Sequence, residues 1–206
     1  KVITAGTSVM TLASFALAKV ITEVPAVLSR RVDPRAGLSV VWGSVHAGGA
    51  LNVIPSGGLV GGTLRVLDAA VWEHAGDLVR EVVEQVVAPY AVRCEIDYTR
   101  GVPPVVNDAD SVEVLRTAVA LAGAVETTVP QSLGGEDFAW YLTHIPGALA
   151  RLGTRTPGGR TYDLHQGDFA VDERAVAIGA RVLAGAVVAA VANARPGAGA
   201  PDVSLR

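Results

Sequence analysis

The stretch Arg100-Gly101-Val102-Pro103-Pro104 constrains this chain more than any other. Two consecutive prolines fix φ and remove two backbone donors, so the stretch continues neither a helix nor a strand ladder and forms a stiff, extended link. The chain therefore divides near residue 102, and the order of its elements changes there. Before the link, Met10 to Ser29 spaces Leu12, Phe15, Ala16, Lys19, Val20 and Glu23 at three- and four-residue steps, which predicts a helix. Pro25 is expected to kink or restart it, and Pro34 to end it by disfavouring helical geometry at Asp33. Leu38 to His46 reads as a strand, and Leu59 to Leu67 as a second one with Thr63 and Arg65 on one face and Leu64 and Val66 on the other. Asp68 is placed to cap a helix with an apolar stripe of Val71, Leu78, Val82 and Val86. Ala91 to Thr99 alternates cleanly, a half-buried strand. Helix, strand, strand, helix, strand is satisfied by one sheet with both helices on one face.

After the link, Asp108 or Asp110 caps a helix carrying Val112, Leu115, Val119 and Ala122. Leu149 to Leu152 is a candidate short strand. Asp172 opens a closing helix from Glu173 to Ala194, apolar almost all round and so expected to be buried. The Pro-, Gly- and Ala-rich residues 195–206 read as a disordered tail. The expected domains are 1–102, 103–194 and that tail, with an α/β fold overall.

Composition narrows the function. Among 206 residues, half apolar, the net charge is −3 with both signs dispersed, which makes no electrostatic case for nucleic acid or an anionic membrane. Charges inside the apolar run from Val9 to Leu28 make it too polar to span a bilayer, so it reads as a domain helix, in a chain expected to lack its front. The single cysteine, Cys94, rules out an internal disulfide and fits a reducing, cytoplasmic setting. It reads as a strand-core residue with no base beside it.

The chemistry-bearing residues gather between Gly134 and Phe169. Gly134-Gly135-Glu136-Asp137 sets two carboxylates behind two glycines, and Asp163-Leu164-His165-Gln166 sets an imidazole beside a carboxylate. A loop histidine with an acidic orienting partner has the chemistry of a metal ligand. The same pair also suits a surface or capping role, and Asp137 can equally cap a helix starting near Phe138. Trp140 and Tyr141 suit either an apolar wall or plain core.

Several motifs in order resemble a known family. Asn52-Val53-Ile54-Pro55, Gly62-Thr63-Leu64-Arg65, Arg100 to Asn107, Gly134-Gly135-Glu136-Asp137-Phe138 and Leu164-His165 look like the metal-dependent amidohydrolases that include hippurate hydrolase and auxin-conjugate hydrolases, in the wider aminoacylase and carboxypeptidase group. That resemblance spans about residues 9 to 190. It implies a lid and dimerisation domain at 1–102, the C-terminal part of a catalytic domain at 103–194, and a homodimer formed through the lid. It further implies hydrolysis of the amide of N-acyl amino acids by a centre of two divalent metals, zinc with manganese, cobalt or nickel as alternatives. Carried over residue by residue, His165 is a metal ligand, Asn52 a catalytic donor to the carbonyl oxygen, and Arg65 and Glu136 substrate-binding residues. On the residues alone, Arg65 reads as an exposed strand residue, and Asn52 is equally a turn residue tolerating positive φ. The family's other ligands, a Glu-Glu pair among them, find no match here, so this chain alone is expected to be inactive. The alternative is a non-catalytic dimerisation or binding module.

Overall fold

The structure, a computed structural model, describes residues 2–6 and 13–193. The expected helix start at Met10 and the tail at 195–206 lie outside the described residues. Two compact units divide the chain, one comprising Lys1–Val105 with Ser132–Trp140, the other Val106–Gln131 with Tyr141–Arg206.

The first unit runs β1 (Val2–Gly6), α1 (Ala13–Arg31), β2 (Ser39–Ala47), β3 (Gly57–Arg65), α2 (Ala69–Val87) and β4 (Arg93–Ile96). The four strands form one sheet in the order β2-β3-β1-β4, every pairing antiparallel. This β-α-β-β-α-β sequence is the ferredoxin-like split arrangement. The leading strand β1 was not anticipated from the sequence, yet it sits inside the sheet, matching Thr4 to Leu59 on one side and to Glu95 on the other. Both helices contribute to a single core: Leu17, Val20, Val24 and Leu28 of α1 meet Val60 of β3 and Val82, Val83 and Val87 of α2. Each such side chain removed from water contributes about 1.5–3 kcal/mol.

Three local outcomes differ from the sequence reading. α1 runs unbroken through Pro25. Proline cannot donate to the carbonyl four residues back, that of Ile21. The indole Nε1–H of Trp42 donates to that freed oxygen instead, at 3.2 Å. A side chain from β2 thus replaces the missing helical bond, and the helix need not break. Second, the buried side of α2 holds Trp72 and Ala75 in place of Val71, so the stripe is rotated from the one expected. Third, β2 and β3 stay in step only through a bulge. Trp42 faces Gly62 and Ser44 faces Gly61, leaving Gly43 extra.

In the second unit, α3 (Ala109–Leu121) and α5 (Arg174–Asn193) pack on each other, and a short α4 (Ala139–Leu142) lies where the chain passes between units. Asp108 caps α3 by accepting from the Ser111 amide at 2.9 Å. The expected strand at Leu149–Leu152 does not form. Leu149 has its backbone groups engaged by a side chain: Asn107 Nδ2 donates to its carbonyl at 3.0 Å, and its N–H donates to Asn107 Oδ1 at 2.9 Å. That amide does locally what a neighbouring strand would have done.

The expectation that α5 is buried all round is also corrected. Its inner side packs Gly185 against Ala118 of α3 and buries Ala175 and Ala189. Val176, Leu183, Val187 and Val191 stand exposed along the outer side. One helix cannot cover two faces, and α3 is the main partner α5 has. By length and composition α5 would suffice to cross a bilayer, with a mean hydropathy of 2.1.

Candidate functional site

The first unit contains a cavity of about 630 Å³ built against the end of β3. The alternation of β3 turns Thr63 and Arg65 outward, as their spacing predicts. Both residues line the cavity, together with Asp97, Tyr98, the Val102-Pro103-Pro104 link and the returning segment Leu133-Gly134-Gly135. Its volume is that of a small-molecule site, and its walls mix apolar surface with a few polar groups. Arg65 is anchored there, donating from Nη1 to the Leu133 carbonyl at 2.6 Å. Its side chain is exposed, and a guanidinium keeps further donors for a carboxylate.

Glu136 follows directly on Gly135 but is not among the cavity-lining residues. Its carbonyl accepts from the Ala139 amide at 3.0 Å, and that of Asp137 from the Trp140 amide at 3.1 Å. Both carboxylates thus sit on the turn that leads into α4. Trp140 meets Trp72 edge to face, ring centroids 5.9 Å apart at 75°. It is therefore neither free wall nor plain core, being 43% exposed.

Asn52 lies at the opposite end of the β2–β3 hairpin, exposed in the loop between the strands. The positive φ allowed for it from the sequence is not adopted: among described non-glycine residues only Ala91 and His165 have positive φ. β3 extends from Gly57 to Arg65, and eight steps at roughly 3.3 Å put about 26 Å between its ends. Asn52 and Arg65 of one chain thus belong to opposite ends of the β2–β3 hairpin.

His165 stands in the second unit, exposed at the tip of a loop that closes on itself. The Asp172 amide donates to the Thr154 carbonyl at 2.7 Å, Arg160 pairs with Asp168 at 2.8 Å, and Tyr162 meets Phe169 edge to face at 6.3 Å. His165 itself adopts φ +65°, a left-handed conformation costing a residue with a Cβ about 1–2 kcal/mol. The surrounding contacts hold that geometry in place. Asp172, hydrogen-bonded by the Arg174 side chain and amide, has its carboxyl pulled down to about 2.

His46, His74 and His144 are exposed. Burial first, then the negative charges of Glu84 and Glu95, push the Cys94 thiol up, which suits a packing residue and opposes a nucleophile. Among the described residues no three His, Cys, Asp or Glu side chains converge as a metal site would require. His165 has the exposure and the free imidazole of one donor; the described residues do not complete a centre. The sequence reading missed Trp72 and Asp97 as cavity residues. Their only signal was proximity to Arg65 and to the proline link, which a linear pattern does not display.

Comparison with known proteins follows the same residues. The family model for peptidase family M20/M25/M40 matches residues 6–189. The N-acetyl-L-cysteine deacetylase of Bacillus subtilis (strain 168) is 31% identical over 158 residues, 77% of this chain and 37% of that protein. A Rhodococcus jostii (strain RHA1) protein provisionally named glutamate–cysteine ligase 2-3 is 44% identical over 170 residues. That match covers 82% of this chain but 21% of the other, so the ligase name does not describe the shared segment in particular. Among solved structures, the Bacillus subtilis YXEP protein, a dinuclear metal binding peptidase of the M20 family, superposes with a TM-score of 0.76 and 26% identity, over 93% of this chain and 49% of that one. The chain spans half or less of the length of each of these relatives.

Proposed function

Because the chain belongs to peptidase family M20/M25/M40, we propose that it serves in hydrolysing the amide bond of N-acyl amino acids. The observation that carries this reading is Arg65, held at a cavity of about 630 Å³ with donors to spare. An N-acyl amino acid has lost its amine charge and keeps its carboxylate, so a guanidinium fork is the group that recognises it. The deacetylase relative, whose name gives an N-acyl amino acid as substrate, supports the same class.

In this reading Arg65 takes the substrate carboxylate and Glu136, two residues past Gly134, contacts the substrate from the turn. Asn52 donates its amide N–H to the acyl oxygen as negative charge develops there. The span of β3, about 26 Å, places Asn52 and Arg65 at opposite ends of the hairpin, which supports a homodimer in which each lid completes the other's site. His165 serves as one ligand of a divalent metal centre, zinc by preference, whose further donors lie beyond the described residues. Such a centre, when bound, polarises the acyl group and acidifies water.

The test expresses the coding sequence in which these 206 residues stand and follows release of free amino acid from N-acyl amino acids. Activity should vanish with chelator and in His165→Ala. Chelator-insensitive turnover, or an active His165→Ala enzyme, rejects the reading. Mixing inactive Asn52→Ala and Arg65→Ala subunits should restore activity through mixed dimers that retain one intact site; no restoration rejects the shared site.

A further inference from the structure

We propose that Trp72 and Arg100 are positioning residues that clamp the segment Ser132–Trp140 onto the first unit and so set where Glu136 stands. The segment reaches this unit after α3 and is held at three points. Arg65 holds the Leu133 carbonyl at 2.6 Å. Gly135 lies so close to Val102 that a Cβ there would come within 3.0 Å of Cγ2. Trp140 abuts Trp72, itself buried to 8% exposure.

The glycines between these points give the backbone no stiffness of its own. The position of Glu136 is therefore set by its flanks, and the turn bonds from Ala139 and Trp140 pass the anchoring of Trp140 back to the two acidic residues. Trp72 is fixed in turn. The Arg100 guanidinium lies 4.4 Å from the Trp72 ring centroid. Its Nη2 donates to the Glu73 carbonyl at 2.5 Å and to Glu73 Oε2 at 2.9 Å. Only a planar cation with several donors can cover a ring and hold a neighbour at once, so lysine is no substitute.

The meaning of the clamp for catalysis rests on the proposed hydrolysis, but its test needs no turnover, so the two fail separately. Hydrogen exchange by mass spectrometry and near-ultraviolet circular dichroism would be recorded for the purified chain and for Trp72→Ala, Trp72→Phe, Arg100→Ala and Arg100→Lys. Exchange of the Ala139 and Trp140 amides, which the turn bonds protect within 132–140, should rise about tenfold in Trp72→Ala, the size expected for an aromatic pair together with a cation–π contact. Amides of β3 and α2 should keep their protection, and the dichroism of the Trp72–Trp140 pair should be lost. Phe at 72 should rescue most of the protection, whereas Lys at 100 should resemble Ala. Unchanged exchange in 132–140, an equal rise across β3 and α2, or an Arg100→Lys variant indistinguishable from the parent would each overturn the clamp.

Discussion

Replacing Asn107 tests whether one side chain can stand in for a strand. Its amide makes both bonds of a ladder rung to Leu149, at 3.0 and 2.9 Å, beside a backbone rung from the Asp108 N–H to the Gly147 carbonyl at 2.9 Å. Two hydrogen bonds at about 1 kcal/mol each would give 2. Asn107 is exposed and Leu149 half-buried, so water recovers part of the loss in Asn107→Ala. The expected cost is therefore about 1–2 kcal/mol, or roughly 5- to 30-fold faster exchange of the Leu149 amide. Asn107→Asp sharpens the argument. An ionised carboxylate still accepts from the Leu149 N–H but sets an oxygen against the Leu149 carbonyl, so at neutral pH it should do no better than alanine. Protonation restores a donor and an acceptor together. The neutral form is favoured in the folded state, so the Asp pKa is raised there. The penalty is then full above the raised folded value and is relieved as pH falls through it, being gone below the unfolded value near 3.9. The assay is Leu149 amide exchange by NMR between pH 3 and 7. Protection in Asn107→Ala within twofold of the parent, or a pH-independent Asn107→Asp, refutes the rung.

Three further outcomes are expected. The Asp172 carboxyl, held down by Arg174, should titrate at about 2 by carbon NMR. Because its folded pKa is depressed, its stabilising contribution is whole above the unfolded value near 3.9 and lost as pH falls through 2; Arg174→Ala should bring the titration back towards 3.9. His165→Gly should be more stable than His165→Ala by about 0.5–1 kcal/mol in urea unfolding, since both delete the imidazole but only glycine accepts φ +65° without strain; an equally stable alanine variant removes the claim of strain. Gly58→Ala should cost about 1–3 kcal/mol, because its Cβ would lie 2.8 Å from the His46 carbonyl, a backbone atom that cannot swing aside as the nearby Leu17 terminus can. A melting temperature equal to the parent's would contradict it.

What the sequence made legible was whatever one element decides by itself. The alternation that turns Thr63 and Arg65 to the same side of β3, the Asp68 and Asp108 caps, and the break before Pro34 all depend on neighbours within a few residues. What stayed hidden depended on a distant partner. Pro25 reads as a break until Trp42 arrives to take the Ile21 carbonyl, and Leu149 reads as a strand until Asn107 occupies it. β1 is five residues whose place inside the sheet follows from pairing with segments more than 50 residues away. The site divides the same way. The outward turn of Arg65 was legible from the alternation of β3, but that Arg65 shares a cavity with the returning glycines, while Asn52 lies in the loop at the other end of the hairpin, is a consequence of topology. A motif that places Asn52 and Arg65 in one list therefore encodes two ends of a hairpin. If one substrate takes both residues from two chains, as proposed, the subunit-mixing experiment restores activity; if it does not, the mixture stays inactive.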